Sequence, residues 1–193
     1  MAIRVYRGRE FEVVDEVYDP AEDSFLLAEA ALSEIRPADR VLEVGTGSGI
    51  ISFTVSEKTV AIATDISPHA CKNARINGVE VVRTDLFDGI CGQFDVVIFN
   101  PPYLPTADDE KIRGWLNRAF DGGPDGRAVI KRFLAGIKRI LPVGGRVLTI
   151  FSTLTDAEAV CELYRQHGFS IEIAAQEKVP FETIIVLRCV RVQ

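Results

Sequence analysis

Hydrophobic positions along this chain follow two alternating patterns. Stretches with apolar residues three and four apart are followed by short, continuous apolar runs, and the pair recurs along the chain. That alternation predicts a mostly parallel sheet with helices on both faces. Phe25, Leu26, Leu32 and Ile35 share much of one helical face, and Pro37 closes their segment. Asp19-Pro20-Ala21-Glu22 reads as the start of that helix, with Asp19 at the N-cap, Pro20 at N1 and Glu22 at N3. Strands are expected at 40–44, 60–64, 79–83 and 94–99. The last is nearly all apolar (Val96, Val97, Ile98), as a strand covered on both faces should be. A helix opens at Ile50, and Ser67-Pro68 starts another that ends near Asn77-Gly78. Val129, Ile130, Phe133, Leu134, Ile137 and Leu141 make a helical stripe that Pro142 and Gly144-Gly145 stop. A strand at 146–151, a helix at 156–167 with Gly168 after it, and strands at 171–174 and 183–190 follow. The short connection at 176–181 makes the last two an antiparallel hairpin. The expected fold is α/β: a seven-stranded, mostly parallel, Rossmann-like sheet with an antiparallel finish.

One segment fits neither pattern. Residues 100–125 carry three early prolines (Pro101, Pro102, Pro105) and a glycine-rich exit (Gly122, Gly123, Gly126). Irregular connections of this length are uncommon in compact domains and often carry function. A short helix is expected inside it, around 109–120.

Composition narrows the class. A length of 193 residues, 47% hydrophobic and 26% charged, describes one globular domain. Residues 1–36 read as an N-terminal extension and helix, and 37–193 as the catalytic core. No apolar stretch approaches the ~20 residues of a membrane span. The start, Met1 to Arg7, leads into no apolar signal core, so a cytoplasmic protein is expected. The net charge of −6 argues against a dedicated duplex-DNA binder. Cys71, Cys91, Cys161 and Cys189 are scattered, and His69 and His167 stand apart, so no metal site is expected.

Two motifs carry candidate chemistry. The first is Val41-Leu42-Glu43-Val44-Gly45-Thr46-Gly47-Ser48-Gly49, running from a strand into a helix. Glycines there let the backbone turn sharply and approach a ligand closely. The spacing is neither the dinucleotide fingerprint nor a P-loop. Glu43 would repel a pyrophosphate but suits an ammonium or sulfonium group. Asp65, at the end of the next strand, can accept bonds from both hydroxyls of a ribose. Asp85 follows the third strand and can take a bond from an adenine amino group, with Leu86 and Phe87 as apolar contacts. The set points to S-adenosylmethionine.

The second motif is Asn100-Pro101-Pro102-Tyr103, at the end of the fourth strand. Amide and exocyclic aromatic nitrogens are poor nucleophiles because their lone pairs are delocalised. The Asn100 side-chain oxygen and the Pro101 carbonyl can accept the two N–H bonds of such a nitrogen, and Pro102 stiffens the turn. Tyr103 can stack on a planar target. Orientation and electrostatics then supply most of the rate, without a strong base.

Together these motifs resemble the class I methyltransferases with an NPPY signature, which act on adenine, guanine or the glutamine of release factors. Val17-Tyr18-Asp19-Pro20-Ala21-Glu22-Asp23-Ser24-Phe25-Leu26-Leu27 and Gly122-Gly123-Pro124-Asp125-Gly126-Arg127 further resemble the HemK-related subfamily that modifies the archaeal and eukaryotic class I release factor. Ser24 stands where that subfamily usually has Thr, and Ser67 where Asn is common. The resemblance implies cofactor contacts from Ser24, Glu43, Gly45, Thr46, Gly47, Gly49, Asp65, Ile66, Asp85, Leu86 and Asn100, with S-adenosylhomocysteine as product. It implies that Asn100, Pro101, Pro102 and Tyr103 receive the target glutamine. It also implies a heterodimer with a small zinc-binding activator that covers an apolar edge of the sheet. On this reading residues 1–16 are dispensable for the cofactor pocket and residues 17–27 are not. The alternative is N-methylation of an adenine or guanine amino group in RNA or DNA. That reading needs a basic path, for which Lys111, Arg113 and Arg118 are candidates beside the acidic Asp108, Asp109 and Glu110, and Trp115 as a wedge. A non-catalytic binding protein is a third class, against which the intact Asn-Pro-Pro-Tyr turn speaks.

Overall fold

The structure, a computed structural model, describes residues 1–107 and 114–193. Among them nine strands form two sheets. A two-stranded antiparallel sheet, β1 (Ala2–Tyr6) and β2 (Arg9–Val13), opens the chain. It is followed by α1 (Glu22–Glu34), β3 (Val41–Val44), α2 (Ile50–Val55), β4 (Ala61–Asp65), α3 (Pro68–Ile76), β5 (Glu80–Arg83) and β6 (Val96–Phe99). Then come α4 (Asn117–Phe120), α5 (Ala128–Ile137), β7 (Arg146–Ser152), α6 (Ala157–Gln166), β8 (Phe169–Val179) and β9 (Glu182–Arg191).

The main sheet has the order β5-β4-β3-β6-β7-β9-β8, with β9 antiparallel to both of its neighbours. Successive side chains of a strand point to opposite faces. Val41, Val96, Ile98, Leu148 and Ile150 therefore bury against α1 and α2. Leu42, Val44, Val97, Phe99 and Val147 bury against α5 and α6. Phe99 stacks on Phe133 with ring centroids 4.4 Å apart. At one rim of the sheet, where β5 is the edge strand, Ile62 and Val82 remain exposed.

The N-terminal sheet is absent from the sequence reading and revises it twice. Tyr6 stacks on Phe25 of α1, and Phe11 and Val13 of β2 are buried. Asp19 is bound by Arg4 of β1 and does not cap α1; that helix starts three residues beyond Asp19, with Ala21 at the N-cap and no side-chain cap. The fold also ties β2 to the glycine turn. Asn73, buried on α3, accepts from Val14 N–H at 2.6 Å and donates to the carbonyls of Glu12 and Ser48. Asn77 repeats the pattern with Glu12 and Ser48. Glu12 and Val14 are thus bonded through Asn73 and Asn77 to the glycine turn, a tie that the expectation of a dispensable 1–16 segment does not include.

Ser67 caps α3 as expected, accepting from His69 and Ala70 N–H, and Asp156 caps α6. The closing hairpin is longer than its sequence pattern suggests. β8 and β9 pair from Phe169↔Arg191 to Val179↔Glu182, interrupted by a bulge between Ile173 and Ala175. The helix expected around 109–120 is described only as α4; the remainder of that expectation, with Asp108, Asp109, Glu110, Lys111 and Arg113, lies outside the described residues.

Candidate active site

In an open parallel sheet, ligands bind beyond the carboxyl ends of the strands where the order reverses. Here that point lies between β3 and β6. The parallel register sets Val44 opposite Phe99, so the glycine turn and the Asn100 turn leave the sheet side by side. A Cβ on Gly45 would lie 3.8 Å from the Asn100 carbonyl oxygen. A cavity of about 560 Å³ opens there, and both turns line it.

Of the expected cofactor residues, Ser24, Glu43, Gly45, Thr46, Gly47, Asp65, Ile66, Asp85, Leu86 and Asn100 all line this cavity. Gly49 does not. It caps α2 at φ +88°, and a Cβ there would meet Ala74 Cα of α3 at 3.1 Å, so its place is to let the two helices pack.

Glu43 is fully buried. One carboxylate oxygen accepts from Thr46 Oγ1 at 2.7 Å, from the Ser52 amide at 3.0 Å and from the Ser52 hydroxyl. The other has no partner among the described residues. Burial pushes the carboxyl up to about 7; the bonds from Ser52 and Thr46 oppose that, and the nearby Asp65 charge adds to it. Glu43 lines the cavity, and a buried acceptor without a partner fits a donor cation, the ammonium or sulfonium group expected from its place before the glycine turn.

Asp65 accepts from Gly47 N–H at 2.9 Å and from Ser67 N–H at 2.8 Å, one bond to each oxygen. Burial raises its pKa, and those backbone bonds hold it down. The Ile66 backbone adds a further bond to the carboxylate, whose two oxygens offer about four acceptor positions and so still suit hydroxyl donors. Asp85 gives one oxygen to Arg132 of α5 at 2.8 Å, a partner the sequence reading did not foresee.

The Asn100 turn has an unforeseen partner too. Asn100 Nδ2 donates to Asp23 Oδ2 at 3.0 Å. The other Asp23 oxygen accepts from the Tyr18 hydroxyl and from Ser24 Oγ, both at 3.2 Å. With its NH2 taken by a buried carboxylate, the Asn100 amide has one orientation, and its carbonyl oxygen is left for the cavity. Burial and the Asp23 charge raise the pKa of Tyr18, and burial with the same charge raises that of Tyr103, so both phenols stay protonated. Asp23 lies within a quoted motif, but nothing in the sequence links it to a residue 77 positions away.

The glycine-rich exit explains itself at backbone level. Gly122 N–H donates to the Leu104 carbonyl, and Thr106 N–H to Gly123. Gly126 sits at φ +69°, where a Cβ would meet the Tyr103 carbonyl oxygen at 2.4 Å. Thr155 Oγ1 also donates to that carbonyl, at 2.8 Å. The Asn100 turn is therefore locked from behind by a segment only glycine can form.

Pro101, Pro102 and Tyr103 line the cavity beside Asn100. Trp115 lines it as well, with the guanidinium groups of Arg83 and Arg118 each 5.6 Å from its ring. Among the described residues no cluster of three or more His, Cys, Asp or Glu side chains could hold a metal ion.

This sheet order, with a glycine turn after β3, acids after β4 and β5 and a ligand cavity at the switch point, defines a class I methyltransferase, a class that uses S-adenosylmethionine. The chain belongs to the Methyltransferase small domain family, whose model matches residues 19–115, and within it to the HemK-related protein glutamine methyltransferases. It is 42% identical to a Methanocaldococcus jannaschii protein named for N5-glutamine methyltransferase activity, over 95% of this chain and 96% of that one. It is 29% identical to the catalytic subunit of the eRF1 methyltransferase of Schizosaccharomyces pombe, over 96% and 93% of the two chains. The solved E. cuniculi Mtq2–Trm112 complex, responsible for methylation of the eRF1 termination factor, aligns with a TM-score of 0.77 at 28% identity. That alignment covers 91% of this chain and 99% of the other.

Proposed function

We propose that this protein transfers the methyl group of S-adenosylmethionine to the side-chain amide nitrogen of the glutamine in the GGQ loop of a class I release factor. The observation that carries the reading is the Asn100 carbonyl, fixed by Asp23 and presented to the cavity beside the Gly45 turn. The cofactor supplies an electrophilic methyl on a sulfonium and leaves as S-adenosylhomocysteine. Glu43 would hold its ammonium group and Asp65 its ribose hydroxyls. Asp85, steadied by Arg132, and Leu86 would hold the adenine. Ser24 completes the pocket wall beside Asp23.

Asn100 and the Pro101 carbonyl accept the two N–H bonds of the incoming amide. That grip turns the nitrogen lone pair toward the methyl and weakens its conjugation with the carbonyl. Tyr103, uncharged, packs against the planar amide. The nitrogen would bond the methyl carbon as the carbon–sulfur bond breaks, its proton would pass to solvent water, and the preorganised acceptors would stabilise the positive charge developing on the nitrogen.

The names of the relatives support the release factor as substrate and a small activator, zinc-binding by the family resemblance, as partner. The exposed Ile62 and Val82 at the β5 edge suit such a partner, since exposed apolar side chains at a sheet edge invite a cover. Among the described residues no helix is long and apolar enough to cross a membrane; a substrate used in translation supports a cytoplasmic enzyme.

The test uses methyl-labelled cofactor with a release factor in one arm and bulk tRNA plus DNA in the other, each with and without the activator. Label in the release factor that disappears when the loop glutamine is changed is the expected result. Label in nucleic acid alone would overturn the reading in favour of base methylation.

A further inference from the structure

The β8–β9 hairpin reaches well past the carboxyl end of β6 and three residues past the last pair with β7. Phe99, at the end of β6, is level with Thr149 of β7 and Leu187 of β9. Pairing continues through Ser152↔Ile184 to Val179↔Glu182, so the tip, Pro180-Phe181, lies six residues beyond Leu187. At the rise of a strand that is roughly 20 Å. The hairpin is thus an arm standing at the same end of the sheet as the Asn100 turn.

Its root is tied to that turn. Thr183 N–H donates to Thr153 Oγ1 at 3.1 Å, and Thr155, two residues on, donates to the Tyr103 carbonyl. Glu182 lies close enough for its charge to bear on the Tyr103 phenol, and one of its oxygens is buried without a partner among the described residues.

The tip is built against its own backbone. Phe181 has φ +73°, in a two-residue turn after Pro180. A positive φ at the second corner after proline is the pattern of a type II turn, where glycine or asparagine fits without strain. A phenylalanine there is strained, and burial does not compensate, because Phe181 is fully exposed. Leu154, beside the root, is half exposed as well. A strained, exposed aromatic next to Glu182, whose charge bears on Tyr103, is an observation from which function is rightly inferred.

We infer that Phe181 is a docking anchor for the protein substrate, gripping an apolar patch of the release factor beside the loop that carries the glutamine. This rests on the proposed substrate. The occupant is the substrate and not the activator because the two apolar features lie at opposite ends of the strand order. Ile62 and Val82 mark the β5 edge, whereas the arm is built from β9 and β8 and joined to Tyr103. Aromatic side chains are enriched among the few residues that carry binding energy at interfaces.

The experiment compares Phe181→Ala and Phe181→Gly with wild type, all with the activator present and intact release factor as substrate. The expected result is a KM for the release factor raised roughly five- to tenfold in both, with kcat at saturation unchanged. Affinities for the cofactor and the activator should stay at the wild-type values. Phe181→Gly should also melt no lower than wild type, because glycine suits the positive φ. An unchanged KM in both variants would overturn the inference. So would loss of activator affinity, which would make the arm part of that interface instead. A wild-type enzyme that labels only nucleic acid would remove the substrate itself, and the anchor with it.

Discussion

The buried carboxyl of Glu43 sets up a trade between stability and cofactor binding that can be measured. Its folded pKa is about 7 against an ordinary value of 4.5. Between those values the folded protein holds more protons than the unfolded chain, so stability falls as pH rises through that window. A gap of about 2.5 pH units at ~1.36 kcal/mol each costs the cofactor-free protein about 3 kcal/mol once the carboxylate forms. Glu43→Gln removes the charge and keeps a carbonyl that can accept from Thr46 and Ser52. Without cofactor, the variant should melt roughly 6–12 °C above wild type at pH 7.5, given ~2–4 °C per kcal/mol at this chain length. At pH 4.5 the two should converge, because wild type is then protonated too. The same variant should bind S-adenosylmethionine more than about tenfold more weakly, since an amide cannot pair with the ammonium group. Thermal unfolding across pH 4.5–8, with calorimetric titration of the cofactor, reads both effects. A melting difference that is constant with pH, or a variant less stable than wild type at pH 7.5, would refute the reasoning.

The remaining expectations concern the two turns and the scaffold. Asn100→Ala should lower kcat by about 10²–10³ while cofactor affinity stays near wild type; lost affinity would mean that its place is in the cofactor pocket alone. Asp23→Ala should free the Asn100 amide to rotate and lower kcat about tenfold, with Asp23→Asn recovering most of it through its own carbonyl; equal losses in both would point to the charge instead. Asp65→Ala should weaken cofactor binding more than about tenfold by stranding two hydroxyls, and a titration showing unchanged affinity would dismiss the ribose assignment. Deleting residues 1–16 should impair cofactor binding and lower the melting temperature, since Asn73 and Asn77 lose their partners at Glu12 and Val14; a truncated protein with full affinity would contradict the scaffold role.

The sheet core was legible because its strands carry their own signal. Val96 to Phe99 are apolar throughout and wholly buried, and Ser67-Pro68 states a helix start within two residues. β1 is mostly exposed and bound by contacts that only the fold supplies, so its pattern looks like any polar extension. Missing it misplaced the start of α1, since Asp19 was free to cap a helix only while Arg4 had no position. The arm escaped for a related reason. β8 turns Glu172, Gln176, Glu177 and Lys178 to solvent and breaks its alternation at a bulge, which hides its length. At the site, the ligand-facing residues lie next to glycines and prolines that mark them. Asp23 and Arg132 act on partners far along the chain, and no local pattern carries such a pairing.

The side-by-side departure of the two turns from β3 and β6 makes the sheet a ruler. Adjacent strands sit ~4.8 Å apart because backbone hydrogen bonding fixes that spacing in every sheet. The separation between the glycine turn and the Asn100 turn is then inherited from peptide geometry, and the side chains of Glu43, Asp23 and Asn100 act from that fixed base. Loops and arms around the rim can be exchanged for new targets without recalibrating the distance over which the group must travel.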